Sequence, residues 1–90
     1  MPRLVITNRA EGDLASLRQD LRDEADRDIL AVGASPREAG YHLKGTYYCR
    51  WSTYTAGNRR ILYRIEEGSV ERVVILGLPH RNIAYPRGRR

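Results

Sequence analysis

TYYCRWSTYT (residues 46–55), AGN (56–58) and RRILYRI (59–65) form the stretch that decides the fold. The first segment is dense in β-branched and aromatic residues, the second is turn-forming, and the third alternates, which together spell a β-hairpin. Side chains on a strand alternate between faces, so Ile61, Tyr63 and Ile65 share one face and Arg60, Leu62 and Arg64 the other. The apolar set belongs against helices. Arg60 and Arg64 then project from the open face, where a strand-borne guanidinium can fork onto a phosphate.

On the C-terminal side, Glu66-Glu67-Gly68-Ser69 reads as a turn and Val70 to Leu78 as a further strand ended by Pro79, with residues 86–90 expected to fray. On the N-terminal side, Leu4-Val5-Ile6 reads as a first strand. Asn8 with Glu11 three positions on has capping-box spacing, and places a helix start there. Ala10, Leu14, Leu17, Leu21, Ala25, Ile29 and Leu30 recur at helical spacing. Asp20 and Asp23 restart the helix after Gln19, which makes a helical hairpin, and Gly33 and Pro36 end it. The expected order is β-α-α-β-β-β, an α+β domain over residues 1–90 with a helical hairpin on one face of a mostly antiparallel sheet.

The chain has 90 residues, enough for one core and too few for two. No apolar run approaches the roughly 18 residues of a membrane span, and the N-terminus has no signal-peptide pattern, so a cytoplasmic protein without a membrane partner is expected. Cys49 is the only cysteine, and the two histidines, His42 and His80, form no zinc-ligand pair, so neither disulfides, a metal site nor a cofactor is expected. Charge is segregated. Residues 1–38 carry six arginines against eight acids, a net of −2, whereas residues 39–90 carry ten Lys/Arg against three acids, a net of +7. A positive face on the C-terminal half fits a polyanion, with nucleic acid the first candidate.

His80-Arg81 follows the last strand, and Tyr85 comes four residues after Arg81. These residue types suit metal-independent RNA cleavage, in which a ribose 2′-hydroxyl attacks the adjacent phosphate. That reaction needs a base, an acid and cations for the phosphorane charge. A histidine suits either proton transfer, Arg60 and Arg81 neutralise charge, and Tyr85 stacks on a base or transfers a proton. The residues alone leave His80 open between a catalyst and an ordinary surface histidine.

The elements Leu43-Lys44-Gly45, Asn58-Arg59-Arg60-Ile61-Leu62-Tyr63 and His80-Arg81-Asn82-Ile83-Ala84-Tyr85 occur in an order and spacing that resemble the RelE/ParE toxins of type II toxin–antitoxin systems. The resemblance covers nearly the whole chain. It implies a small β-α-α-β-β-β fold, neutralisation by a cognate antitoxin protein and, for the RelE- and YoeB-like branch, cleavage of mRNA on the ribosome. Carried over by position, Arg60 matches an arginine at the scissile phosphate, Arg81 the arginine after the last strand, and Tyr85 the C-terminal tyrosine; His80 resembles a histidine near the chain end. Arg50, Arg64 and Lys44 are the expected RNA-binding cations. The departures concern the base. Trp51 and Thr53 stand where RelE has strand lysines, Arg50 replacing one only through a bulge, and Tyr41 stands where YoeB-like toxins have a glutamate. The alternatives are a ParE-like inhibitor of DNA gyrase, which shares the fold without the nuclease residues, and a non-catalytic module that binds RNA or protein.

Overall fold

The computed structural model describes residues 2–47 and 49–87. Strand β1 (Arg3–Ile6) leads into helices α1 (Asn8–Ala15) and α2 (Gln19–Ala34), a short helix α3 (Pro36–Ala39), and strands β2 (Tyr41–His42), β3 (Trp51–Thr55), β4 (Arg59–Glu66) and β5 (Arg72–Gly77). The strands form one sheet in the order β1-β5-β4-β3-β2, with only the β1–β5 pair parallel. This is the expected α+β architecture with one helix and one two-residue strand added between the helical hairpin and the β-hairpin. Among the described residues no helix is long and apolar enough to cross a membrane.

The helices cover one face. Ala10, Leu14, Ala25, Ile29 and Val32 meet Ile61, Tyr63, Val73 and Ile75 in a buried cluster, with Leu4, Ile6 and Ile65 packed against it. The alternation read from residues 59–65 therefore holds, and the register of β3 on β4 is regular from Trp51↔Tyr63 to Thr55↔Arg59. A register shift occurs instead between β4 and β5, at Leu62/Tyr63.

Several boundaries differ from expectation: β3 begins at Trp51 rather than Thr46, since Gly45–Tyr47 form a 3-10 turn, β5 spans Arg72–Gly77 rather than Val70 to Leu78, and the helical boundaries shift for local reasons. The cap of α1 is Thr7, not Asn8: Thr7 is extended, its hydroxyl accepts from the Ala10 N–H at 3.2 Å and donates to the Ile75 carbonyl at 2.9 Å. That double use ties the helix start to β5. The second helix begins at Gln19, with extended Arg18 as its cap. Gly33 does not stop α2, because it is a packing position: a Cβ there would lie 3.3 Å from Leu4 Cδ1. Pro36 opens α3 at the first-turn position that proline tolerates.

Gly40 follows α3 under a tight constraint. The Tyr63 hydroxyl donates to the Pro36 carbonyl at 2.6 Å, and a Cβ on Gly40 would sit 2.5 Å from that hydroxyl and 2.6 Å from the Ser52 carbonyl oxygen. Burial pushes the Tyr63 phenol well up, so it remains a donor. Gly40→Ala is expected to cost about 1–3 kcal/mol, the usual range for overpacking, read as a lower urea midpoint with an unchanged slope. An unchanged midpoint would show that the chain relaxes freely here.

The C-terminal segment is more ordered than expected. The Lys44 N–H donates to the Pro86 carbonyl at 3.1 Å, Leu43 bridges Arg87, and the Arg87 guanidinium lies 4.7 Å from the Tyr41 ring centroid. Pro86 and Arg87 thus dock rather than fray; residues 88–90 of the expected tail lie outside the described residues. Between His80, which bridges Arg59, and Arg87 the chain runs from the start of β4 to the β2 side of the sheet.

Candidate functional site

Arg60 organises the face opposite the helices. It stands one residue into β4, across from Tyr54 on β3, and its N–H donates to the Pro79 carbonyl at 2.8 Å. Its side chain is not the exposed guanidinium that period two suggested: Arg60 is only 7% exposed. It is buried away from the helices, among tyrosines. Nη1 donates to the Tyr41 hydroxyl and Nη2 to the Arg81 carbonyl at 3.3 Å. The guanidinium carbon lies 4.8 Å from the Tyr54 ring centroid and 5.7 Å from that of Tyr85.

The electrostatics of this arrangement are unbalanced. Among the described residues no carboxylate pairs with Arg60, and its buried Nε has no hydrogen-bond partner. Removing an ion from water costs several kcal/mol, and a desolvated cation–π contact returns about 2 kcal/mol. Two hydrogen bonds and two ring contacts thus replace water around Arg60, with no counter-charge among the described residues. Burial works to raise the Tyr41 phenol, but the Arg60 charge together with hydrogen bonding to Ser52, Arg60 and Tyr54 outweighs it and holds the phenol below its ordinary range.

Arg81 completes the cluster from the chain after β5. Its N–H donates to the Asn58 carbonyl at 2.7 Å, its Nη2 to the Thr55 carbonyl at 2.8 Å, and its guanidinium stacks 4.8 Å from the opposite partner of Arg60, Tyr54. These contacts need the hairpin loop as it is, with Gly57 and Asn58 both in the left-handed region at φ 68° and 56°. Tyr85 is held by an edge-on contact with Tyr47, ring centroids 5.1 Å apart. Arg60, Arg81 and Tyr85 thus come together with Tyr54 and Tyr41.

The other expected residues are distributed around this centre. His80 is exposed and shares with Asn58, Arg81 and Asn82 the lining of a cavity of about 450 Å³. It adjoins Arg81, and among the described residues no hydrogen bond or ring contact joins it to Arg60 or Tyr85. Arg50 is exposed and borders a second cavity of about 220 Å³ with Leu62, Leu76 and Tyr85. It reaches that place with β3 unbulged; Trp51 and Thr53 have the same parity as Thr55, whose hydroxyl donates to Asp28 of α2 at 2.7 Å on the helix side. Lys44 is exposed beside the docked Pro86. Arg64 stands apart, its Nη2 2.7 Å from Glu66, which also pairs with Arg72 at 2.9 Å.

The sequence named Tyr85 for this cluster but gave no role to Tyr54 and none to Tyr41 beyond the glutamate it replaces. Tyr54 was recoverable, since counting back from the three-residue loop pairs it with Arg60. Tyr41 was not, because its place depends on β2, a strand of two residues set by the sheet edge.

No protein-family model and no curated protein matches the chain. Solved structures do. The toxin–antitoxin complex RelBE2 from Mycobacterium tuberculosis contains a chain that superposes with a TM-score of 0.77 at 26% identity, over 90% of this chain and 100% of that one. A YoeB/ParE toxin from Agrobacterium tumefaciens superposes with a TM-score of 0.72 at 20% identity, over 87% and 97%. These neighbours are RelE/ParE-superfamily toxins, and the fold of this chain is the fold of that superfamily.

Proposed function

We propose that this protein is the toxin of a type II toxin–antitoxin system and that it cuts mRNA on the ribosome by metal-independent 2′-hydroxyl attack. The observation that supports the nuclease reading is Arg60: a guanidinium 7% exposed, without a carboxylate, with Nε unpartnered, is a receptor for a phosphate. In this reading the 2′-oxygen bonds to phosphorus and gives its proton to a base. The bond from phosphorus to the 5′-oxygen breaks, and that oxygen takes a proton, leaving a 2′,3′-cyclic phosphate and a 5′-hydroxyl. Arg60 and Arg81 stabilise the charge gained by the phosphorane, His80 is a proton-transfer group, and Tyr85 stacks on a flanking base. Arg50 and Lys44 hold the RNA backbone, and Arg64 joins them by exchanging Glu66 for phosphate. A partner antitoxin, acidic to match the basic half of the chain, covers the site until released.

The test is expression from a tight promoter with 5′-end mapping of mRNA. Growth arrest with new 5′-hydroxyl ends on ribosome-bound messages, also formed by purified protein in EDTA on programmed ribosomes, is expected. Growth arrest with intact mRNA and failed DNA supercoiling would instead establish a ParE-like gyrase inhibitor. The separation of His80 from the tyrosine cluster is the observation on that side.

A further inference from the structure

We infer that Tyr41 is the acid of the reaction, donating its phenolic proton to the departing 5′-oxygen; the inference rests on the nuclease reading above. Tyr41 is half-buried on the edge strand β2, facing the same side as Arg60, and its oxygen accepts a hydrogen bond from Arg60 Nη1. A phenol that accepts from a guanidinium keeps its own O–H to donate. Ser52 and Tyr54 also neighbour this phenol, and Arg60 Nη2 is engaged by the Arg81 carbonyl, so in this step the phosphate takes the place of that carbonyl on Nη2 and lies beside the Tyr41 O–H that Nη1 contacts. Proton transfer breaks the Tyr41 O–H bond as the bond from phosphorus to the 5′-oxygen breaks. The products are a 5′-hydroxyl and a phenolate, and water returns the proton to the phenolate.

The charged and titratable groups around Tyr41 all favour this direction. Arg60 lies against its oxygen from β4, Arg87 lies over its ring from the docked C-terminal segment, and Tyr54 stands nearby on β3. Two cations and no carboxylate among these contacts stabilise the phenolate that the step leaves behind. The direction of the Tyr41 phenol, held below its ordinary range, agrees with that geometry.

The experiment compares wild type with Tyr41→Phe on programmed ribosomes, using mRNA with a natural linkage and mRNA with sulfur in place of the bridging 5′-oxygen at the cut. A thiolate leaves without protonation. Tyr41→Phe is expected to cut the natural linkage about 10²-fold more slowly than wild type, the usual size of an acid–base contribution, and to cut the sulfur linkage within about threefold of it. Equal loss on both linkages overturns the inference, as does no loss on either. A fluorinated tyrosine at position 41, which keeps the ring and hydroxyl but acidifies them, is expected to move the alkaline limb of the rate profile to lower pH; an unmoved limb also overturns it. Wild type that cuts neither linkage removes the nuclease reading itself, whereas wild type that cuts both tests Tyr41 alone.

Discussion

Arg60→Met is expected to lower cleavage of ribosome-bound mRNA by about 10²–10³-fold, the size seen when one preorganised donor to a developing oxyanion is removed. Melting should move little or rise. An average destabilising substitution costs about 1 kcal/mol, which would lower Tm by about 4–8 °C in a domain this small. Arg60 differs from an average buried residue because it is a charge without a counter-charge, 7% exposed, between Tyr54 and Tyr85. Exchanging an uncompensated buried ion for an apolar side chain of similar length relieves desolvation, and the lost cation–π contacts return only part of that. Function and stability therefore separate at this position. Retained cleavage with a Tm lowered by more than that interval would make Arg60 a structural residue and remove the phosphate receptor.

His80→Ala is expected to reduce the same cleavage by about 10² or more, with the fold unaffected, in keeping with the size of general acid–base terms. His80 is exposed in its cavity, and its hydrogen bonds among the described residues are backbone ones, the bridge to Arg59 and the Ile83 N–H donating to its carbonyl at 3.2 Å, which alanine preserves. The comparison with Arg81→Ala is informative. Arg81 ties its guanidinium to the Thr55 and Arg59 carbonyls at 2.8 and 3.4 Å, so its loss weakens the hairpin loop as well as the charge. The expected pattern is a pure rate effect at position 80 and a rate effect with a lower Tm at position 81. Equal rates for wild type and His80→Ala would take His80 out of the mechanism. Tyr85→Phe then divides the remaining roles: full activity leaves stacking, and loss implicates the hydroxyl.

The architecture follows from short-range features of the chain. The period-two pattern of residues 59–65 put Ile61 and Tyr63 against the helices and Arg60 on the other side, because alternation depends only on the backbone pleat. The apolar spacing from Ala10 to Leu30 specified the helical region, and Asp20 with Asp23 the restart that divides it into two helices, again from neighbours close in the chain. What needed the tertiary structure depends on partners far along the chain. Gly33 lies within α2, where Leu4 approaches it closely, and Thr7 caps α1 with its hydroxyl also bonded to β5. A two-residue β2 exists only as an addition to β3. Arg60 is buried rather than exposed because Tyr41, 19 residues earlier, and Tyr85, at the docked end of the chain, close around it. Periodicity tells which face a side chain takes. Whether that face is open to water is decided by what the rest of the chain lays across it.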